Sequence, residues 1–418
     1  MRIILLYPPS PFLIDQKAFP PLGILYLAGY ARAAGHEVEV YDLAGKENDL
    51  KAALSNLEAD IFGISATTPQ YPQALRILAE LRKRQRNALM VIGGAHPSSV
   101  PEQSLADGFD TVVVGEGEVA LVKVAEKRLL GIVKEPYIKD LDDIPRPARD
   151  MIDIRSYGYS ISGGKATTII TSRGCPHKCS FCSKNVWQRG TRFHSSARIM
   201  SEIRECMDKY GFKHFLFLDD SLTLRKQRLM DLCKEMEPLG IVWRAYVRAD
   251  AVTREMLVAM KLAGCVEVGI GIESGSQQIL DAACKGTTVE QNSRLIALCR
   301  EVGILSNVFI MIGLPGESYE TVEATRRWME ENRPDKFGYN IFTPYVGTPI
   351  RMHPEMYDLQ LFPMPEEESW VKGRQGEYHA FIATSKLSRE EILRLFAENF
   401  KHFEQLIKWR PGVGKIGD

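Results

Sequence analysis

The chain has no apolar run approaching the roughly twenty residues of a membrane-spanning helix, so no span is expected. Its first residues, Met1-Arg2-Ile3-Ile4-Leu5-Leu6-Tyr7-Pro8-Pro9, hold an apolar stretch too short for a secretion signal; two prolines end it, and it reads as a first strand. Net charge is missing as well. Lys plus Arg and Asp plus Glu both number 53 in 418 residues, which removes the bulk basic field that gathers nucleic acid. There is no disulfide framework: the first of eight cysteines is Cys175, and Cys206, Cys233, Cys265, Cys284 and Cys299 are scattered without a ligand-like pattern. Buried thiols in a reducing compartment account for that usage, so a cytoplasmic location is expected. No G-x-G-x-x-G opens the first helical segment, which argues against a dinucleotide fingerprint. No histidine–carboxylate pair stands beside a cysteine or serine, so a nucleophilic triad has no evident candidate.

The other three cysteines are concentrated in Gly174-Cys175-Pro176-His177-Lys178-Cys179-Ser180-Phe181-Cys182, spaced C-x3-C-x2-C directly after the β-branched run at 166–171. A loop at a strand end aims three thiolates at one centre. Such sets hold zinc or iron–sulfur clusters, both of which ordinarily take four protein ligands. Either His177 or His194 completes a zinc site, or one metal position stays open.

A chain of this length divides into two or three domains. Strand-like runs at 3–7, 37–41, 60–65, 88–92 and 111–114 alternate with helical segments at 22–34, 50–57, 72–84, 101–105 and 119–130. Five alternations predict an α/β, flavodoxin-like (Rossmann-like) doubly wound sheet over 1–137, with its binding crevice at the carboxyl ends of the strands. The loops on that edge, 8–11, 65–69, 93–97 and 115–118, are rich in small and turn-forming residues, so backbone can approach a bulky ligand there. Residues 138–165, with Pro145, Pro147 and repeated aspartates, lack periodicity and read as an extended linker. A second βα alternation fills 166–349, with strands at 166–171, 214–218, 242–247, 266–272, 307–312 and 339–342. Six repeats suggest a partial (β/α)6 barrel, whose carboxyl-end rim converges on the cysteine loop. Thr288 with Gln291 and Ser388 with Glu391 match the capping box, and Ser195 or Ser196 caps a helix through Tyr210. The remainder, 350–418, reads as a short helical extension: a loop at 352–374 over the barrel mouth, then an amphipathic helix at 387–409. Ile392, Leu393, Phe396, Phe400, Phe403 and Ile407 keep helical spacing there.

The Phe181-Cys182 pair closing C-x3-C-x2-C resembles the signature of the radical S-adenosylmethionine (SAM) enzymes. Phe19-Pro20-Pro21-Leu22-Gly23, Gly93-Gly94-Ala95-His96-Pro97 and Val114-Gly115-Glu116-Gly117-Glu118 resemble the cobalamin-binding domain that precedes the radical core in one large subclass. The resemblance implies a [4Fe–4S] cluster on Cys175, Cys179 and Cys182, with SAM on the fourth iron. It implies SAM contacts at Phe181, Asp219, Asp220, Arg248, Glu273, Ser274, Gly313 and Pro315. Cobalamin contacts are implied at Pro21, Leu22, Gly23, Ser65, Thr67, Gly93, Gly94, His96, Gly115, Glu116 and Gly117. His96 is either a cobalt ligand or a structural part of its loop; Gly94 stands where the motif D-x-H-x-x-G has its aspartate.

The implied activity is methylation of an unactivated carbon by a 5′-deoxyadenosyl radical and methylcobalamin, acting on a small molecule or peptide. An external one-electron reductant of flavodoxin or ferredoxin type is implied too. Radical cyclisation, rearrangement or oxidation with cobalamin mediating electrons is the alternative, and a non-catalytic corrinoid or iron–sulfur binder is the reading from another class. Methylthiolation is disfavoured because the first domain has no cysteine for a second cluster.

Overall fold

The computed structural model describes residues 1–187, 190–363 and 378–408. Its first strand, β1 (Arg2–Tyr7), buries Ile3, Ile4, Leu5 and Leu6 in succession, as a parallel strand covered on both faces must. Side chains alternate across the sheet: Ile4 and Leu6 enter one apolar cluster, Ile3 and Leu5 the other. The sheet continues with β2 (Glu37–Asp42), β3 (Ile61–Ser65), β4 (Leu89–Gly93), β5 (Thr111–Val114) and β6 (Gly131–Lys134), all parallel, in the order β2-β1-β3-β4-β5-β6. The order reverses between β1 and β3, which opens a crevice at the carboxyl ends of the strands.

Two details differ from the sequence pattern. β6 is a sixth strand, hidden from the pattern because only Val133 of its four residues is buried. The helix expected at 50–57 ends after Leu50–Ala53, although Leu50, Leu54 and Leu57 all reach the core.

The segment read as an extended linker is a packed seam. It forms three 3-10 turns, Leu141–Asp143, Arg149–Met151 and Ile154–Ser156, and buries Leu141, Ile144 and Ala148. The Ala148 amide donates to the Leu25 carbonyl at 2.9 Å. The buried Arg149 guanidinium bridges Glu202 and the Thr168 carbonyl, both at 2.6 Å.

The second domain adds β7 (Ser160–Ile161), β8 (Gly164–Ile169), β9 (Ser172–Arg173), β10 (Arg192–Phe193), β11 (His214–Phe217), β12 (Val242–Val247), β13 (Cys265–Glu273), β14 (Leu305–Ile312) and β15 (Lys336–Ile341). Six parallel strands from β8 to β15, with β7 antiparallel at one edge, form a curled open sheet in the order β15-β14-β13-β12-β11-β8-β7. β9 and β10 stand apart as a two-residue antiparallel ladder. Thr288 and Gln291 make the expected capping box, Ser388 and Glu391 exchange the corresponding bonds, and Ser195 caps the helix Ser196–Tyr210.

Beyond the barrel, β16 (Leu359–Leu361) pairs antiparallel with β17 (Ile382–Thr384), and residues 364–377 of the expected loop lie outside the described residues. The helix Arg389–Lys408 covers β15, with Phe396 stacked on Tyr339 at 5.0 Å and Phe403 against the same ring at 5.4 Å. Among the described residues no helix is long and apolar enough to cross a membrane.

Candidate active site

The cysteine loop leaves the carboxyl end of β8 and is pinned from three directions. The Ser180 amide donates to the Ala283 carbonyl at 3.0 Å, and the Ser180 carbonyl accepts from the Ile350 amide at 3.2 Å. Lys184 Nζ donates to the carbonyls of Cys175 (3.1 Å) and His177 (2.7 Å). All three thiols are free: Cys179 is buried, Cys175 half-buried and Cys182 at the surface. Cys179 and Cys182 line a cavity of about 380 Å³ with His177, Lys184, Asn185 and Gly347. Burial of the sulfur pushes the Cys182 thiol up to about 11, with Lys184 opposing and Asp220 adding to the rise. A metal centre reverses that preference by stabilising thiolates.

His177 lines the cysteine cavity, whereas His194 does not. His194 sits against Asp142 at 3.2 Å, buried beside Arg198 and Glu202. Among the described residues, no three His, Cys, Asp or Glu side chains are close enough to hold a single ion. Three free thiols on one short loop are a donor set of the kind that holds an iron–sulfur cluster.

Around this loop the strand ends divide into side chains that face it and side chains that brace the barrel. Arg248, after β12, is buried; its guanidinium reaches Asp250 at 3.1 Å, the Lys285 carbonyl at 2.8 Å and Cys179 Sγ at 3.6 Å. Glu273 ends β13 at a register shift, with φ of 65°, and pairs with Lys285 Nζ at 2.7 Å. A Cβ added at Gly271 would lie 2.4 Å from Glu273 Oε1 and 2.9 Å from Lys285 Nζ, so only glycine leaves room for that pair. Lys285 Nζ also lies 5.9 Å from the Phe181 ring centroid. Asp220 is exposed, within electrostatic reach of Cys182.

Asp219 and Ser274 turn inward. Asp219 is buried and accepts from the Thr171 amide (3.2 Å) and hydroxyl (2.7 Å) and from the Ser172 hydroxyl, which ties β11 to the start of the cysteine loop. Burial holds its carboxyl above the ordinary range despite those donors. Ser274 Oγ faces Thr325 Oγ1 at 3.0 Å. Gly313 has φ of 90°, and a Cβ there would meet Ile382 at 2.4 Å, so the C-terminal cover rests on this turn. Pro315 is buried beside it. The same turn is organised by Glu317, which accepts from the Gly313 amide (3.1 Å) and Thr321 Oγ1 (3.0 Å) and is pushed up to about 7 by burial.

The second cavity, of about 130 Å³, is the crevice of the first domain. Gly23, Ser65, Gly93, Gly94, Gly115, Glu116 and Gly117 line it, with apolar walls from Ile24, Leu27, Val91 and Val113. The half-barrel contributes Ile170, Arg173, Val186 and Trp187, so both domains build it. A Cβ at Gly23 would meet nothing within 4 Å, and Arg173 Nε is buried with no partner among the described residues. An open cradle, apolar walls and a spare donor fit a large ring cofactor carrying polar substituents.

Four residues named from the sequence do not line this crevice. His96 is buried and stacked on Tyr71 at 3.9 Å, with both ring nitrogens unpartnered among the described residues; burial lowers it to about 4. Pro21 ends the loop before the helix Leu22–Ala33, and Leu22 packs with Leu141 and Ile144 of the seam. Thr67 caps the turn Thr68–Gln70.

Two further charged residues had no motif to mark them. Arg173, one position before Gly174, is buried between Glu116 (2.9 Å) and Glu118 (2.6 Å), and Lys285 lies in a connecting loop. Adjacency to the cysteine motif was the one available signal for Arg173.

Comparisons with known proteins agree with this division. The model for the B12 binding domain matches residues 16–125, and that for the radical SAM superfamily matches residues 169–329. The chain is 32% identical over 379 residues to an uncharacterized methyltransferase of Pyrococcus horikoshii, covering 83% of this chain and 82% of that protein. It is 27% identical over 362 residues to the anaerobic magnesium-protoporphyrin IX monomethyl ester cyclase of Rubrivivax gelatinosus, covering 78% of this chain and 65% of the cyclase. The radical SAM methyltransferase TsrM of Kitasatospora setae, solved with tryptophan and a SAM analogue, superposes with a TM-score of 0.74 at 19% identity, over 97% of this chain and 89% of TsrM.

Fold and site together define a two-domain protein in which a B12-binding sheet is packed onto a radical SAM half-barrel. The chain belongs to the cobalamin-dependent radical SAM enzymes. The cofactors of that class are a [4Fe–4S] cluster, SAM and cobalamin.

Proposed function

We propose that this enzyme transfers a methyl group to an unactivated carbon of a small-molecule or peptide substrate seated between its two cavities. One observation carries the reading: a single loop lines both. Cys179 and Cys182 face one cavity, while Val186 and Trp187 wall the other. Bound together, the three cofactors would supply a 5′-deoxyadenosyl radical and a cobalt-held methyl group.

The work of the chain is then to bind, orient and exclude water. Cys175, Cys179 and Cys182 would hold the cluster. Arg248, already fixed by Asp250 and the Lys285 carbonyl, presents a forked cation suited to the SAM carboxylate. Asp220 offers the exposed carboxylate for the SAM ammonium, and Glu273 with Phe181 and the Gly313–Pro315 turn offers contacts for the rest of the molecule. Asp219 and Ser274 act behind them as braces. Gly23, Ser65, Gly93, Gly94, Gly115 and Gly117 would let the corrinoid lie against backbone. An external one-electron reductant of flavodoxin or ferredoxin type completes the system.

The similarity to a cyclase supports a second reading, radical cyclisation or oxidation without methyl transfer. Turnover with methyl-deuterated SAM separates the two. A product heavier by one deuterated methyl group is expected; product of unlabelled mass would exclude methyl transfer and leave the cyclase-type reading.

A further inference from the structure

We infer that Glu116, Glu118, Arg173 and Arg192 form a clamp that sets the cysteine loop against the corrinoid crevice, so that filling the crevice changes the spectroscopic signature of the cluster. The inference rests on the proposed placement of cobalamin in the crevice and of the cluster on the loop.

The four side chains are committed to one another. Glu116 accepts from Arg173 at 2.9 Å, from Arg192 at 2.8 and 2.9 Å, and from the Ile138 amide at 3.1 Å. Glu118 accepts from the other arm of Arg173 at 2.6 Å. Two carboxylates meet two guanidinium groups, so the charge balances. Arg173 and Arg192 are register partners in the β9–β10 ladder, which closes the base of the cysteine loop. Thr191 Oγ1 adds a bond to the Gly174 carbonyl at 3.2 Å. The Glu116–Glu118 turn of the first domain therefore grips both ends of the loop that carries the cysteines.

Stability alone does not account for this arrangement. Buried ion pairs contribute little net stability compared with apolar packing, whereas they specify geometry strongly. Here the geometry specified is that of a crevice wall, since Glu116, Glu118 and Arg173 all line the crevice. Arg173 passes between the Tyr26 ring (5.3 Å) and the Trp187 ring (5.8 Å) and keeps Nε unpaired among the described residues. A ligand in the crevice thus touches a side chain two residues from Cys175. These are positioning residues: they act on the cluster through the backbone of 173–175.

The test uses the full chain reconstituted with iron and sulfide, with aquocobalamin as the probe and no turnover. Iron content, the electron paramagnetic resonance spectrum of the reduced cluster and its midpoint potential are recorded with and without aquocobalamin. In the parent, aquocobalamin shifts the spectrum and the potential. In Glu118→Gln, which keeps shape and removes charge, iron content is retained and the shift is lost at saturating aquocobalamin. Arg192→Lys, at the more exposed end of the clamp, serves as the second variant and loses the shift likewise. A parent that binds both cofactors without any shift, or variants that shift as the parent does, would overturn the clamp and leave the proposed function standing. A parent that takes up no aquocobalamin would overturn both.

Discussion

Replacing Lys285 by methionine should damage the half-barrel more than any other single change at its rim. The ammonium forms a 2.7 Å ion pair with Glu273, and both side chains are at least nine-tenths buried. Methionine fills nearly the same space and leaves the Glu273 carboxylate without its counter-charge at a strand end already held at positive φ. Removing one partner of a buried pair costs about 3–5 kcal/mol. That is a large share of the roughly 5–15 kcal/mol that holds a domain folded. At about 2–4 °C per kcal/mol for a domain of this size, the half-barrel transition should fall by about 6–20 °C. Calorimetry of the cofactor-free chain measures it, with Glu273→Gln and the Lys285→Met/Glu273→Gln double variant beside it. Coupling requires the double variant to be less damaged than the sum of the single ones. A loss below about 1 kcal/mol for Lys285→Met, or strict additivity, would refute the claim that the pair is a buried, mutually dependent unit.

Gly23 sits in the first turn of a helix with open crevice space beyond it. Gly23→Ala should stabilise the apo chain by about 0.5–1 kcal/mol in urea melts, whereas Gly23→Phe should keep the fold and abolish aquocobalamin uptake. At Gly347, with φ of 78°, a Cβ would lie 2.0 Å from Asn185 Nδ2 and 2.5 Å from Ser99 Oγ, two side chains that bond each other across the domains. Gly347→Ala should therefore cost about 1–3 kcal/mol, seen as a lower urea midpoint, and speed proteolysis between the domains. His96 titrates at about 4 in the folded chain against 6.5 when free. Above pH 6.5 it is neutral in both states; as pH falls from 6.5 to 4 the unfolded chain protonates first, and stability drops by up to about 3 kcal/mol. His96→Asn should remove that part of the pH profile while leaving aquocobalamin affinity near that of the parent.

What was legible from residues alone was what short range determines. The alternation of strands with helices and the capping pairs at Thr288 and Ser388 are each carried within a few positions, and the structure contains both. Side-chain direction at a strand end is different, because tertiary partners decide it. Asp219 and Asp220 are neighbours, yet one is consumed by Thr171 and Ser172 while the other stays exposed. Glu273 and Ser274 part in the same way, toward Lys285 and Thr325. His96 stands in a glycine-rich loop of the right kind but packs on Tyr71, a residue of the neighbouring helix, and no local pattern records that contact. The seam at 138–159 lacked periodicity because it follows the groove between domains, where burial obeys the shape of the partners and no helical or strand repeat.

The β9–β10 ladder also limits what change the cysteine excursion tolerates. Residues 174–191 leave and return at one point, so the ends of this excursion are joined by protein contacts. Closing a loop is an entropic cost that grows slowly with its length, and here folding of the two domains has already met it. Insertions into that excursion would therefore disturb the walls of two cavities at once, since Cys179 and Cys182 line one while Val186 and Trp187 line the other.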